Sequence, residues 1–97
     1  MEERLFLVTY TMKPGCTEAF LREMEESGVL AKIRAEDGAV QYAYYRAQLH
    51  DDELLLVERW QSAEQQARHL SQPHMALVRT LKERYVTDTQ VVRAIPE

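Results

Sequence analysis

The side chains of this 97-residue chain best suited to moving a proton are a histidine and a carboxylate. His69 comes first, because imidazole titrates near neutrality when nothing perturbs it. It falls in a short helix that follows a strand, a place from which it can face a cavity between sheet and helices. There it would act as a general base; otherwise it packs and hydrogen-bonds a neighbour. Glu58 comes second. In the strand pattern LLLVERW it alternates with Leu54, Leu56 and Trp60, which puts a carboxylate on an otherwise apolar face. A buried carboxylate without a partner is costly. Its partner is expected to be His69, which Glu58 would then orient, or a cation such as Arg46 across the sheet.

His74 follows Pro73 and begins a helix, where it either touches a ligand or simply starts the helix. His69 and His74 are five residues apart with a proline between them, so they do not form the four-residue histidine pair of a zinc-binding helix. No second cysteine or carboxylate cluster completes a metal site, and none is expected. Tyr44 and Trp60 are candidate walls of a ligand pocket, since an apolar body with a polar tip suits a planar phenolic ligand. Tyr10, Tyr42 and Tyr45 could line it too, and the competing reading for all five is packing. Cys16 is alone, which rules out an internal disulfide and fits a reducing cytoplasm. It is either a thiol activated beside a helix start or a small apolar packing residue.

These residues need a scaffold, and the pattern supplies one. Leu5 to Met12 is a strand apolar on both faces, ended by Pro14-Gly15. Thr17 is the expected N-cap of a helix from about Glu18 to Ala35, with Cys16 and Leu21 placed for a hydrophobic staple. Phe20, Met24 and Ala31 share one stripe of that helix while Val29 and Ile33 fall on another, so a bend or an irregular turn is expected at Gly28 between the phases. Glu36-Asp37-Gly38 reads as a stop. Ala39 to Gln48 is a second strand, His50-Asp51-Asp52 a hairpin loop, and Leu54 to Trp60 a third strand antiparallel to the second. Ser62 with Gln65 resembles a capping box opening a helix to about Leu70. Beyond Pro73, Met75, Val78, Leu81 and Tyr85 mark a helix from His74 to Tyr85, and Thr87 to Ile95 a last strand. The order predicts one α+β domain over residues 1–97, a ferredoxin-like β-α-β-β-α-β plan with a four-stranded antiparallel sheet. Both helical segments cover one face. The other face is apolar and uncovered, which predicts a homodimer packed sheet to sheet.

A formal net charge of −4 argues against nucleic acid and anionic membrane surfaces as partners. No apolar run approaches a membrane span, and Met1-Glu2-Glu3-Arg4 lacks the basic start of a signal peptide, so a cytoplasmic location is expected.

Several motifs follow one another at telling separations: Lys13-Pro14-Gly15 after strand one, Glu36-Asp37-Gly38-Ala39 before a tyrosine-bearing strand, Glu58-Arg59-Trp60-Gln61-Ser62, and His69-Leu70-Ser71-Gln72-Pro73-His74. In this order they resemble the antibiotic biosynthesis monooxygenase superfamily, and within it the small quinol monooxygenase-like proteins. The resemblance spans nearly the whole chain. It implies a dimeric α+β barrel and oxygenation of a small quinol or phenolic aromatic by dioxygen, with no flavin, haem or metal cofactor. His69 would be the base, Glu58 its orienting partner, and Trp60, Tyr44 and His74 substrate contacts. The haem-degrading branch needs a strand-one Asn, which is missing, and a helical Trp and His where this chain has His69 and a position near Arg79. Haem degradation is therefore not expected. Two alternatives stand beside the oxygenase: a non-enzymatic dimeric module that binds a small ligand or a partner, and an isomerase of a small phosphorylated metabolite. The isomerase would need an anion site, and Glu64 in the helix start after Ser62 disfavours one there.

Overall fold

The computed structural model describes residues 2–97. Its elements are β1 (Arg4–Met12), α1 (Thr17–Glu26), α2 (Val29–Arg34), β2 (Ala39–Arg46), β3 (Glu53–Trp60), α3 (Ala63–Leu70), α4 (Met75–Tyr85) and β4 (Val86–Ala94). The strands lie in the order β2-β3-β1-β4 and every neighbouring pair is antiparallel. This is the ferredoxin-like α+β plan that the order of motifs predicts.

Alternation along the strands divides the sheet into two faces. Phe6, Val8 and Tyr10 of β1 lie opposite Glu58, Leu56 and Leu54 of β3, and all six are buried on the helix side. Phe20 and Met24 of α1, Ile33 of α2, and Val78 and Leu81 of α4 complete that core. The intervening residues Leu5 and Leu7 pair with Arg59 and Val57 on the other face, which no helix among the described residues covers. Val92 on the same face is 60% exposed.

The helix expected from Glu18 to Ala35 is two helices. Gly28, at φ +83°, breaks the chain between them, a conformation glycine adopts without a Cβ clash. The break resets the helical phase. Val29, Leu30 and Ile33 turn inward, and Ala31, expected on the buried stripe, is exposed. Thr17 is not the N-cap. Cys16 holds that position without a side-chain cap, and the Thr17 hydroxyl instead donates to the Asp51 carbonyl at 2.8 Å. Together with the Gly15 amide donating to Asp52 (3.0 Å), this ties the start of α1 to the β2–β3 loop. The β2 strand ends at Arg46 rather than Gln48.

The stop sequence does more than end a helix. Gly38 has φ +84°, and a Cβ there would sit 2.4 Å from the Gln65 side chain. That missing Cβ lets the start of α3 close onto the loop between α2 and β2. Ser62 caps α3 by accepting from the Gln65 amide (3.2 Å), as expected, and the Gln65 side chain reaches Asp37 at 3.2 Å. Gln65 and His69 are four residues apart and share a face of α3, so this docking brings His69 to the same loop.

Candidate functional site

The face of α3 that docks through Gln65 carries His69 into the interior, where it is 1% exposed. Its Nδ1 lies 2.9 Å from one oxygen of Glu36 and 3.1 Å from the other. A carboxylate oxygen accepts, so Nδ1 donates its hydrogen to Glu36 and Nε2 is the ring nitrogen left without that partner. His74 Nε2 reaches the same Glu36 at 2.8 Å. Glu36 thus bridges the α3 and α4 histidines across Pro73. On the opposite edge of the ring, His69 Nε2 faces Glu58 at 3.9 Å, too far for a direct hydrogen bond. The Trp60 indole lies against the imidazole, with centroids 4.6 Å apart and planes tilted by 34°, and donates to Glu58 at 3.0 Å. Tyr42 meets the imidazole edge-on at 5.7 Å.

Beside this ring is a cavity of about 350 Å³. Phe6, Val8 and Tyr10 of β1 form its floor, with Tyr42 and Glu58 at one side. The α3 and α4 helices supply His69, Leu70, Met75, Val78, Arg79 and Lys82, and β4 supplies Thr89, Val91 and Arg93. Its volume falls within the range of small-ligand pockets, about 300–1,000 Å³. Burial raises the Glu58 pKa; the Trp60 hydrogen bond and the nearby His69 and Lys82 partly offset it. Burial lowers the Lys82 pKa, and Glu58 counteracts that shift. Tyr10 and Tyr42 are pushed well above the ordinary phenol range, chiefly by burial, so they remain neutral hydroxyls at physiological pH.

His69 and Glu58 thus meet at one cavity. Trp60 is fully buried behind His69, supporting the ring and the carboxylate rather than lining the space. Tyr44 is absent from the lining: its ring packs edge-on against Phe20 (5.7 Å) and Tyr42 (6.1 Å). His74 is held by Glu36 on the far side of His69. Arg46, a possible partner of Glu58, instead pairs with Glu18 on α1. The Nδ1 of His69 is held by Glu36, not Glu58. Tyr42 and Tyr10, two of the five aromatics that could line a pocket, do so, whereas Glu36, Arg79, Lys82 and Arg93 were not singled out as site residues from the sequence. For Arg79 and Lys82 a signal existed, because with Met75 and Val78 they follow the i, i+3, i+4, i+7 spacing of one helix face.

A model of the antibiotic biosynthesis monooxygenase family matches residues 5–80. The chain belongs to this family. No curated protein matches it by sequence. Among solved structures it is similar to PA3566 from Pseudomonas aeruginosa, at 22% identity and a TM-score of 0.86, covering 100% of this chain and 96% of that one. Rv0793 from Mycobacterium tuberculosis shares 25% identity at a TM-score of 0.81, covering 98% and 95%. SnoaB from Streptomyces nogalater, described as a cofactor-independent oxygenase, shares 18% at 0.85, covering 100% and 95%. These likenesses concern the fold. Among the described residues of this family member, no helix is long and apolar enough to cross a membrane.

Proposed function

We propose that the chain is a cofactor-independent monooxygenase acting on a small quinol or electron-rich phenol, with His69 as its base. The observation that carries this reading is a cavity with an apolar floor that has the buried, Glu36-held imidazole of His69 in its wall. Family membership and the description of SnoaB point the same way.

The reaction requires no external reductant. A quinol hydroxyl gives its proton to His69 Nε2, and the resulting anion passes one electron to dioxygen. Superoxide and the semiquinone radical recombine at a ring carbon, the peroxide anion takes the proton back from His69, and the hydroperoxide loses water. The sum is quinol plus O₂ giving hydroxyquinone plus H₂O, with the substrate supplying all the electrons. Glu36 accepts the Nδ1 hydrogen and leaves Nε2 turned toward Glu58, which lines the cavity. Glu58, its pKa raised, offers a second proton-exchanging group beside the ring, supported by Trp60. The apolar floor of Phe6 and Val8 packs the ring and limits water around the radical pair.

The active form in this reading is a homodimer, because the uncovered sheet face carries Leu5, Leu7, Leu55, Val57 and Val92. Oxygen consumption with a panel of naphthoquinols tests the catalytic part. Enzyme-dependent uptake by wild type that falls roughly 10²–10⁴-fold in His69→Ala is expected for a positioned base. Uptake equal to the uncatalysed rate, or unchanged by the substitution, contradicts the proposal.

A further inference from the structure

Three cations border the cavity and none of them is needed for the proton and electron steps above. Arg79 and Lys82 sit three residues apart on the α4 face that also bears Met75 and Val78. Arg93 comes from β4, where Thr89, Val91 and Arg93 alternate toward the same space. Among the described residues none of the three has a carboxylate oxygen within 4.0 Å. The one acid that lines the cavity is Glu58, 8% exposed at its inner end. Arg79 and Arg93 are exposed, so they stand where the cavity opens to solvent, while Lys82 is half-buried with its ammonium 5.2 Å from the centroid of the Tyr10 ring.

Like charges on one helix face repel, and bringing a third from a neighbouring strand adds to the cost. In a chain of net charge −4, acidic partners are plentiful, yet these cations gather where acids are scarce. A planar guanidinium and a compact ammonium flanking an apolar floor form a receptor for an oxyanion attached to a hydrophobic ring.

We infer that Arg79, Lys82 and Arg93 form an anion subsite, and that the preferred ligand is an aromatic bearing a carboxylate or another anionic substituent on the edge turned toward α4 and β4. This rests on the reading of the cavity as an aromatic-ligand site and narrows the substrate class. The ring lies on Phe6 and Val8 with its hydroxyl toward His69, and its anionic group lies between the half-buried Lys82 and the two arginines at the opening. Specificity then comes from leaving the cations unpaired when a neutral analogue binds.

Calorimetric titration with matched probes tests it: 1-hydroxy-2-naphthoate against its neutral carboxamide, and 1-naphthyl phosphate against 1-naphthol. Each anion is expected to bind about tenfold or more tightly than its neutral counterpart, with a preference that shrinks as salt rises. Lys82→Met and Arg93→Gln should each reduce that preference while leaving affinity for the neutral probes within about twofold. Arg93 is exposed, so its variant carries the test even where Lys82→Met folds poorly. The stronger of the two anions identifies the substituent as carboxylate or phosphate. Equal affinity for anionic and neutral probes, or a preference indifferent to both substitutions, overturns the inference. The measurement reads binding alone. Anion-selective binding without oxygen consumption removes the oxygenase and keeps the subsite, and oxygen consumption without anion preference does the reverse.

Discussion

At the scale of single residues, the site turns on which carboxylate holds which edge of His69. The pattern of β3 made Glu58 conspicuous, because a charged residue interrupts an apolar alternation. Glu36 carried no such mark. It lies in a segment whose composition announces a helix end, and only the docking of α3 turns that segment into a hydrogen-bond acceptor for two histidines. Glu36→Gln is expected to lower kcat by about ten- to a hundredfold, a fraction of the roughly 10²–10⁴ a positioned base supplies, and to alter the pH–rate profile with little change in KM. A KM rise at constant kcat would instead make Glu36 a binding residue. Glu58 supports a second prediction. Its folded pKa lies above its ordinary value of 4.5, so the folded state holds that proton more tightly than the unfolded chain. The stability it contributes is therefore full below the unfolded pKa and is lost as pH rises through the folded one. Glu58→Gln, which can still accept from Trp60, should match wild type in acid and gain in relative melting temperature toward neutrality. A melting-temperature difference that does not vary with pH would contradict this.

At the scale of elements, strand and helix identities were legible because apolar periodicity switches between two and 3.6 along the chain. Junction details were less so. Thr17 has the chemistry of an N-cap, but its hydroxyl serves a loop distant in sequence, which no local pattern discloses. The phase change at Gly28 was readable, since Phe20 and Met24 cannot share a face with Val29 and Ile33 in one straight helix. Tyr44 and Trp60 show the limit of reading aromatic residues from a strand alone. Alternation puts both on the helix side, yet only the positions of α1 and α3 decide whether a ring faces a cavity or another ring. The junction of Gly38 with Gln65 carries a prediction. Gly38→Ala places a Cβ 2.4 Å from Gln65 Cδ at φ +84° and should destabilise the fold by about 1–3 kcal/mol, because it both strains the backbone and pushes α3 off the loop that bears Glu36. Chemical denaturation reads the loss, and a cost below a few tenths of a kcal/mol would show that this junction does not set the position of His69.

At the scale of the molecule, a sheet covered on one face leaves Leu7, Val57 and Val92 facing outward, and β4 exposed along nearly its whole length. A second copy packed on that face would bury those residues. A dimer is accordingly expected of wild type in sedimentation at micromolar concentration and a lone protomer of Val57→Lys; a wild-type chain that stays monomeric there contradicts the proposed assembly. The cavity itself lies within one copy, between its sheet and its own helices, so its chemistry can be read directly. The most direct measurement follows one turnover under ¹⁸O₂ with a naphthoquinol, using protein stripped of flavin and treated with chelator. One labelled oxygen is expected in the hydroxyquinone and the other in water, formed by wild type and lost in His69→Ala. Unlabelled product, or label gained equally without the protein, would contradict it.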